Sequence, residues 1–600
     1  VYRAAPEECV VIKGSEVAAA WEELSDGVWQ LALPNVFFGA YNPYRDIIRG
    51  DWFDPKGRIH HTGEVYLNGK SMYEVDRPAL VEHPEVLPGA LDREFSRYVW
   101  HCESDDAVTT IRANFHDFNP NRELVEINVR PTCFWPEHTG VDYITVRGFH
   151  FLHAATNWAP PTSGQIGAVG PNWSKGWIIE DNQVTDSKCC GISLGLARGA
   201  GIGDIPLRRL KHGHWYQLEV VFQALQSGWN RETVGSHIVR NNEVCDCEQA
   251  GIVGHMGCAF STVSGNHVHG IWRKRQFGGF EIAGIKFHAP IDSILSGNRI
   301  HDCRLGLWMD WQAQGTRITG NLVYDNECDL FIEVSHGPCV VDNNLLLSPY
   351  SLNLCAQGGA FIHNLIAGTI NPRDVTRRAT PYHQPHSTAI SGMTFVFAGD
   401  DRYFNNLFAA PDAAAGAAYG GIQDENDDPA SVRPAVPPGQ YGLGVYDGHP
   451  SSLEEYLAAL EGRRRRPGAL LSLGAYYETR QPVYTGGNLY YNQARPFSGE
   501  HDAVVRGELQ HGLRLEQAGD RLYLCLEADA ALKDAPTAVV VSEKLGAPRI
   551  AGAPYENPDG SRIVFDRDYQ GRPRAVRPRP GPLETLKPGP NRLLVWGPAE

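Results

Sequence analysis

Two acidic residues, Asp310 and Glu333, each end a short run of alternating residues, Gly306-Leu-Trp-Met-Asp310 and Asp329-Leu-Phe-Ile-Glu333, and they lie 23 residues apart. An Asn-x-x-x-Asp element precedes each run, Asn298 to Asp302 and Asn321 to Asp325, again 23 residues apart. Side chains of a strand alternate faces with period two, so residues at the same offset in the two runs share a face. Stacked as neighbouring strands, the runs bring the two carboxyls to about 5 Å. Like charges directly opposite each other destabilise a sheet, which leaves a purely structural reason for the pair weak. Solvated acids on a sheet face are the plain alternative. Chemistry supplies another reason: retaining cleavage of a glycosidic bond uses a nucleophilic carboxylate and an acid/base carboxyl about 5–5.5 Å apart, whereas inversion needs roughly 6.5–9.5 Å to admit a water. Proximity also raises the proton affinity of one carboxyl, which can then serve as the acid near neutral pH.

The frame extends backwards through Gly284-Ile-Lys-Phe-His288 and Gly251-Ile-Val-Gly-His255. One outward column then reads His255, His288, Asp310, Glu333, and its neighbour reads Val253, Lys286, Trp308, Phe331. The inward column, Ile252, Ile285, Leu307, Leu330, is apolar. A period this short over alternating runs is the pattern of a solenoid whose coils stack on one another. Asn-x-x-x-Asp recurs at Asn182/Asp186 and Asn242/Asp246, and further Asn turns occur at Asn266, Asn344, Asn364, Asn406 and Asn488. Stacked Asn side chains can pair with one another, and Asn tolerates the left-handed conformation that such corners need.

Gly-Leu-Trp-Met-Asp310-Trp-Gln-Ala-Gln-Gly-Thr-Arg, followed by Asp-Leu-Phe-Ile-Glu333-Val-Ser-His-Gly-Pro, resembles the active-site coils of the glycoside hydrolase family 120 β-xylosidases. The resemblance implies an all-β chain, a right-handed parallel β-helix with an inserted β-sandwich, acting by retention on xylobiose and short xylo-oligosaccharides. It implies Asp310 as nucleophile and Glu333 as acid/base; the geometry of the pair alone does not decide which acid does which. It also implies a homo-oligomer, with a tetramer suspected, and a sandwich aromatic lent to the sugar site.

The domain order agrees with this. Residues 1–16 read as a first β-helix segment, 17–122 as the inserted sandwich, 123–500 as the β-helix with its catalytic coils at about 251–336, and 501–600 as a β-rich C-terminal extension. Short alternating strands without a 23-residue period, such as Gly27-Val-Trp-Gln-Leu-Ala-Leu and Val108-Thr-Thr-Ile-Arg-Ala-Asn, mark the sandwich. Trp52, in Gly50-Asp-Trp-Phe53, matches the lent aromatic or belongs to the sandwich core. His288 and His255, in register below the carboxylates, are expected to contact substrate. Lys286 and Trp308 occupy the neighbouring column, and Glu281 sits in the rim loop that begins at Trp272. His336 binds substrate or shapes a turn, and Trp158 is a stacking platform or a buried aromatic. A capping-box start, Ser452-Leu-Glu-Glu455, predicts a helix inside a Gly-, Ala- and Pro-rich excursion.

Composition sets bounds. A net charge of −16 argues against nucleic acid or a polyanion as partner, and a neutral oligosaccharide is compatible with it. No stretch approaches 18 apolar residues, so no membrane span is expected. Thirteen Cys without a zinc-type pairing predict buried thiols and no metal or cofactor, and favour a reducing compartment such as the cytoplasm. The chain begins at Val1 without Met, so export is not decided by its start. The rival from another class is a β-helix polysaccharide lyase acting on uronate polymers. In that reading Lys286, Arg304 or Arg317 would abstract the proton, and Asp310 and Glu333 would hold calcium.

Overall fold

The computed structural model describes residues 1–25, 27–196, 211–412, 436–437, 439–465 and 474–598. The chain forms two compact units, residues 1–258 with 266–286, and residues 259–265 with 287–600.

In the first unit three parallel ladders make the sides of β-helix coils. One runs through Tyr2–Arg3, Thr145–Arg147, Ile178–Glu180 and Ile238–Arg240. The second runs through Val10–Lys13, Phe149–Leu152, Gln183–Thr185, Glu243–Cys245 and His267–His269. The third pairs Cys190–Ser193 with Ala250–His255. Between the first two coil segments lies an antiparallel insertion. Its larger sheet joins Glu22–Ser25, Val28–Pro34, Val108–Asn114 and Val99–Ser104. The smaller joins Ser15–Val17, Val125–Asn128, Val65–Leu67 and Lys70–Ser71. Both sheets contribute to one core that holds Trp21, Trp29, Trp100, Ile111, Val65 and Ile127. Antiparallel pairing starts at Ser15 and ends at Asn128, wider than the 17–122 read from sequence, because Ser15–Val17 pairs with Glu126–Asn128 and closes the insertion at its neck.

In the second unit the corresponding ladders are longer. One runs through Thr262–Ser264, Ile294–Ser296, Thr316–Thr319, Cys339–Asp342, Gly359–Ile362, Asp401–Phe404 and Val483–Gly486. Another runs from Arg299–His301 through Leu322–Tyr324 to Leu489–Tyr491 and Val504–Arg506. The third stacks Leu305–Asp310, Cys328–Glu333, Tyr350–Cys355 and Thr369–Pro372. At one corner the Asn side chains form a hydrogen-bonded column through Asn298, Asn321, Asn344, Asn364, Asn406 and Asn488, with Nδ2 to Oδ1 distances of 2.9–3.1 Å. The left-handed residue is the one just before each of these Asn (Gly297, Gly320, Asn343, His363, Asn405, Gly487) and not the Asn itself. The Asp of the repeated element is left-handed as well, at φ 52–57° in Asp186, Asp246, Asp302 and Asp325.

The C-terminal residues add an antiparallel sheet of Arg514–Ala518, Arg521–Ala528 and Gly589–Trp596. Its Leu522, Leu524 and Leu526 pack on the ladder column Leu322, Leu345, Leu365, Leu407, Leu489, which gives that column an apolar partner. The predicted helix is Leu453–Arg464, capped by the Ser452 side chain on the Glu455 N–H. All thirteen cysteines are free thiols, with Cys247 and Cys303 buried. Among the described residues no helix is long and apolar enough to cross a membrane.

Candidate active site

The strands Leu305–Asp310 and Cys328–Glu333 are parallel neighbours, and their register sets Asp310 opposite Glu333. Leu307, Met309, Leu330 and Ile332 fill the coil interior, while Trp308 and Phe331 stack on the outer face with centroids 5.1 Å apart. Each acid ends its strand at a sharp turn. Trp311 (φ 39°), Gln312 (φ 63°) and Val334 (φ 41°) are all left-handed. A β-branched residue with positive φ is strained, at a cost on the order of 1–3 kcal/mol. Here backbone bonds hold the turn: Trp311 N–H to Glu333 O at 2.9 Å and Val334 N–H to Cys355 O at 2.7 Å. The turns take the chain away directly after each carboxyl, so both acids stand at the end of the sheet.

Glu333 accepts from Arg378 and Trp308. Arg378 Nη2 is 2.5 Å from Oε1, and Trp308 Nε1 donates to Oε2 at 3.2 Å. Bonds of this kind favour an ionised carboxylate. Asp310 Oδ2 lies 3.2 Å from His288 Nδ1, and the next residue, Ala289, donates its N–H to the carbonyls of Asp310 and Trp311. Arg378 comes from a hairpin, Val375–His383 with Ile390–Val396, that the sequence pattern did not reveal. This hairpin is tied down over the turns after the two acids. His383 bonds Gln312 Oε1 through Nε2 at 2.9 Å, and its carbonyl and N–H bond the Gln314 amide. Both residues, read as outward from the sequence, are buried, Asp310 at 5% and Glu333 at 8% exposure, and the hairpin reaches Glu333 through Arg378.

His336 belongs to that anchorage. Its Nε2 donates to Thr380 O at 3.0 Å and its Nδ1 accepts from Gln357 Nε2 at 2.7 Å. Burial lowers its pKa to about 4, so the ring is neutral and both nitrogens are engaged. These bonds tie the turn after Glu333 to the hairpin strand through Thr380 and to Gln357.

The first unit carries the remaining candidates. The loop with Trp52 pairs with the rim loop: Phe53 and Asp54 bridge Gly279 and Gly278, and Phe280 donates its N–H to Trp52 O at 3.0 Å. The Trp52 ring is half-buried against His214, with centroids 5.7 Å apart, at the start of helix Gly213–Gln226. A Cβ at Gly213 would lie 2.6 Å from that indole, so only glycine lets the helix start approach so closely. Trp52 is absent from the sandwich core cluster. Glu281 and Lys286 form a buried ion pair at 3.1 Å, and Lys286 Nζ also donates to Phe280 O at 3.2 Å. Burial raises the Glu281 pKa to about 7 even though Lys286 pulls it down. Trp158 is buried in an apolar cluster with Phe277 and Ile282, and its Nε1 donates to Asp51 O at 2.9 Å, which makes it the support under the Trp52 loop. His255 is fully buried at the end of strand Ala250–His255.

Residues 18–127 match the family model described as glycoside hydrolase 120, insertion domain, and residues 221–366 match one described as right handed beta helix region. The chain is similar to the solved structure of XylC in complex with xylose, at 44% identity and a TM-score of 0.92, over 99% of this chain and 90% of that one. Pectate lyase Pel9A is matched at 11% identity over 46% of this chain and 65% of that one, with a TM-score of 0.25, too low to support any argument. No curated protein matches the chain.

Proposed function

Since the chain belongs to glycoside hydrolase family 120, we propose that it is a retaining β-xylosidase, releasing xylose from xylobiose and short xylo-oligosaccharides by double displacement. The observation that carries this reading is the in-register pair of Asp310 and Glu333 on adjacent strands, whose usual ~4.8 Å spacing is close to the carboxyl separation that retention uses. The similarity to a relative whose structure holds xylose supports the sugar.

In the first step Asp310 attacks the anomeric carbon, the glycosidic C–O bond breaks, and Glu333 gives its proton to the departing oxygen. In the second step Glu333, now ionised, takes a proton from water, whose oxygen attacks the same carbon and releases Asp310. His288 beside Asp310 orients the nucleophile. Arg378 and Trp308 hold the two oxygens of Glu333, which suits the base it must be in the second step.

One observation favours a second assignment. A carboxylate bonded to an arginine is poorly prepared to be the acid of the first step, so Glu333 would be the nucleophile and Asp310 the acid. The two assignments separate in Asp310→Ala supplied with azide. A nucleophile variant gives the α-configured xylosyl azide and an acid/base variant the β-configured one.

A further inference from the structure

In the first unit, the outer face of the ladder through Gln183–Thr185, Glu243–Cys245 and His267–His269 brings together three side chains of metal-ligand type. Glu243 and His267 are register partners on adjacent strands, and His269, two residues on, shares their face. Glu243 Oε1 is 3.3 Å from His269 Nε2 and 3.8 Å from His267 Nδ1. The two imidazoles lie nearly parallel, with centroids 4.3 Å apart and an interplanar angle of 28°. One ligand atom from each residue falls within 4.8 Å of the other two. Zinc bonds of ~2.0–2.1 Å to imidazole and ~2.0–2.2 Å to carboxylate put tetrahedral ligand atoms roughly 3.3–3.5 Å apart. The two separations from Glu243 lie within about half an ångström of the spacing one ion requires and all three fall within 4.8 Å, so side-chain rotation on the ladder-fixed backbone brings the set onto one ion.

We propose that Glu243, His267 and His269 bind a borderline divalent cation of the Zn²⁺ class, which clips two successive coils together. Two imidazoles with one carboxylate suit Zn²⁺, Cu²⁺ or Ni²⁺, whereas Mg²⁺ and Ca²⁺ call for oxygen ligands. All three side chains are half-buried, so solvent completes the coordination. Gln183, one strand further back, donates its Nε2 to Glu243 Oε2 at 3.3 Å and orients the carboxylate with Oε1 toward the rings, as an outer-shell partner of a metal ligand does. The sequence lacks the paired cysteines that mark a zinc site. Here the signal is His-x-His on one strand with Glu243 24 residues before His267, on the preceding coil.

The test uses tag-free, full-length protein stripped with chelator, titrated with Zn²⁺ alone by calorimetry and followed by thermal melting. Saturable binding of one ion per chain with a rise in Tm is expected, and Mg²⁺ at equal concentration should give neither. His267→Gln and His269→Gln should abolish the binding while leaving xyloside hydrolysis unchanged. Gln183→Ala, which keeps all three ligands, should weaken binding roughly ten- to a hundredfold. This last variant keeps the proposal testable where a histidine variant fails to fold. Absence of saturable binding by the wild type, or equal affinity in wild type and Gln183→Ala or either histidine variant, would overturn the proposal.

Discussion

Arg378 is the residue whose role the sequence did not announce. Truncating it removes a charged hydrogen bond from Glu333, worth ~1.5–3 kcal/mol. If that bond prepares Glu333 as the base, Arg378→Ala should lower kcat by roughly ten- to a hundredfold on an aryl xyloside with a good leaving group, where the second step limits. Because the second step limits, KM should fall in proportion, so that kcat/KM and Tm change little. An unchanged kcat would remove Arg378 from the account. The two acids themselves were legible because both obey one 23-residue frame and share a face, whereas Arg378 stands outside the frame on an arm that only tertiary contacts locate. His336 shows the converse limit. Its place just past Glu333 fits either a substrate contact or a turn, and only the two partners of its ring show that it ties down that arm.

At the scale of elements, the Asn column is what the repeat is made of. Asn321 is fully buried: its Oδ1 accepts from the N–H and Nδ2 of Asn298, and its Nδ2 donates to Asn344 Oδ1 and Leu295 O. Asn321→Ala leaves several of these groups without partners at about 1–3 kcal/mol each, so a loss of ~2–4 kcal/mol is expected in denaturant unfolding. A loss under ~0.5 kcal/mol would mean that the column is incidental to coil stacking. The column was readable where coils follow at 23 residues. It was harder to read across the 60 residues from Asn182 to Asn242, where a helix is inserted between coils. Asn is the residue type that tolerates a left-handed turn, but a ladder Asn needs its own side chain directed inward, so the residue before it makes the turn.

For the whole chain, buried ionisable groups set the pH dependence of stability. Burial raises Glu248, Glu281, Asp401 and Glu500 to about 7 and Asp329 to about 8. Between roughly pH 4.5 and 7 the folded chain therefore binds more protons at these sites than the unfolded one, and stability falls as pH rises. Burial lowers His60, His336 and His383 to about 4 and His237 to about 3. There the folded chain binds fewer protons between roughly pH 4 and 6.5, and stability rises with pH. The two sets oppose each other from about pH 4.5 to 6.5. Above that window the raised carboxyls act, and below it the histidines dominate, joined by Glu74, whose pKa is about 2 although burial, the largest influence on it, acts upward, and by the lowered Asp186. Tm should be nearly flat from about pH 4.5 to 6.5 and fall on both sides, whereas a Tm still climbing from pH 6.5 to 8 would contradict these assignments. None of this was legible in the net charge of −16, which counts charges without their burial. The C-terminal extension was legible only as strands; that it covers the apolar column from Leu322 to Leu489 emerges only from the packing.

The central claim is that Asp310 and Glu333 form a retaining pair with Asp310 as nucleophile. Its most direct test is hydrolysis of an aryl β-D-xyloside by wild type, Asp310→Ala and Glu333→Ala, with and without azide, identifying the azide product. The account predicts activity lost in both variants, α-xylosyl azide from Asp310→Ala and β-xylosyl azide from Glu333→Ala. The reverse configurations would exchange the two roles. Full activity in either variant would contradict the pair itself.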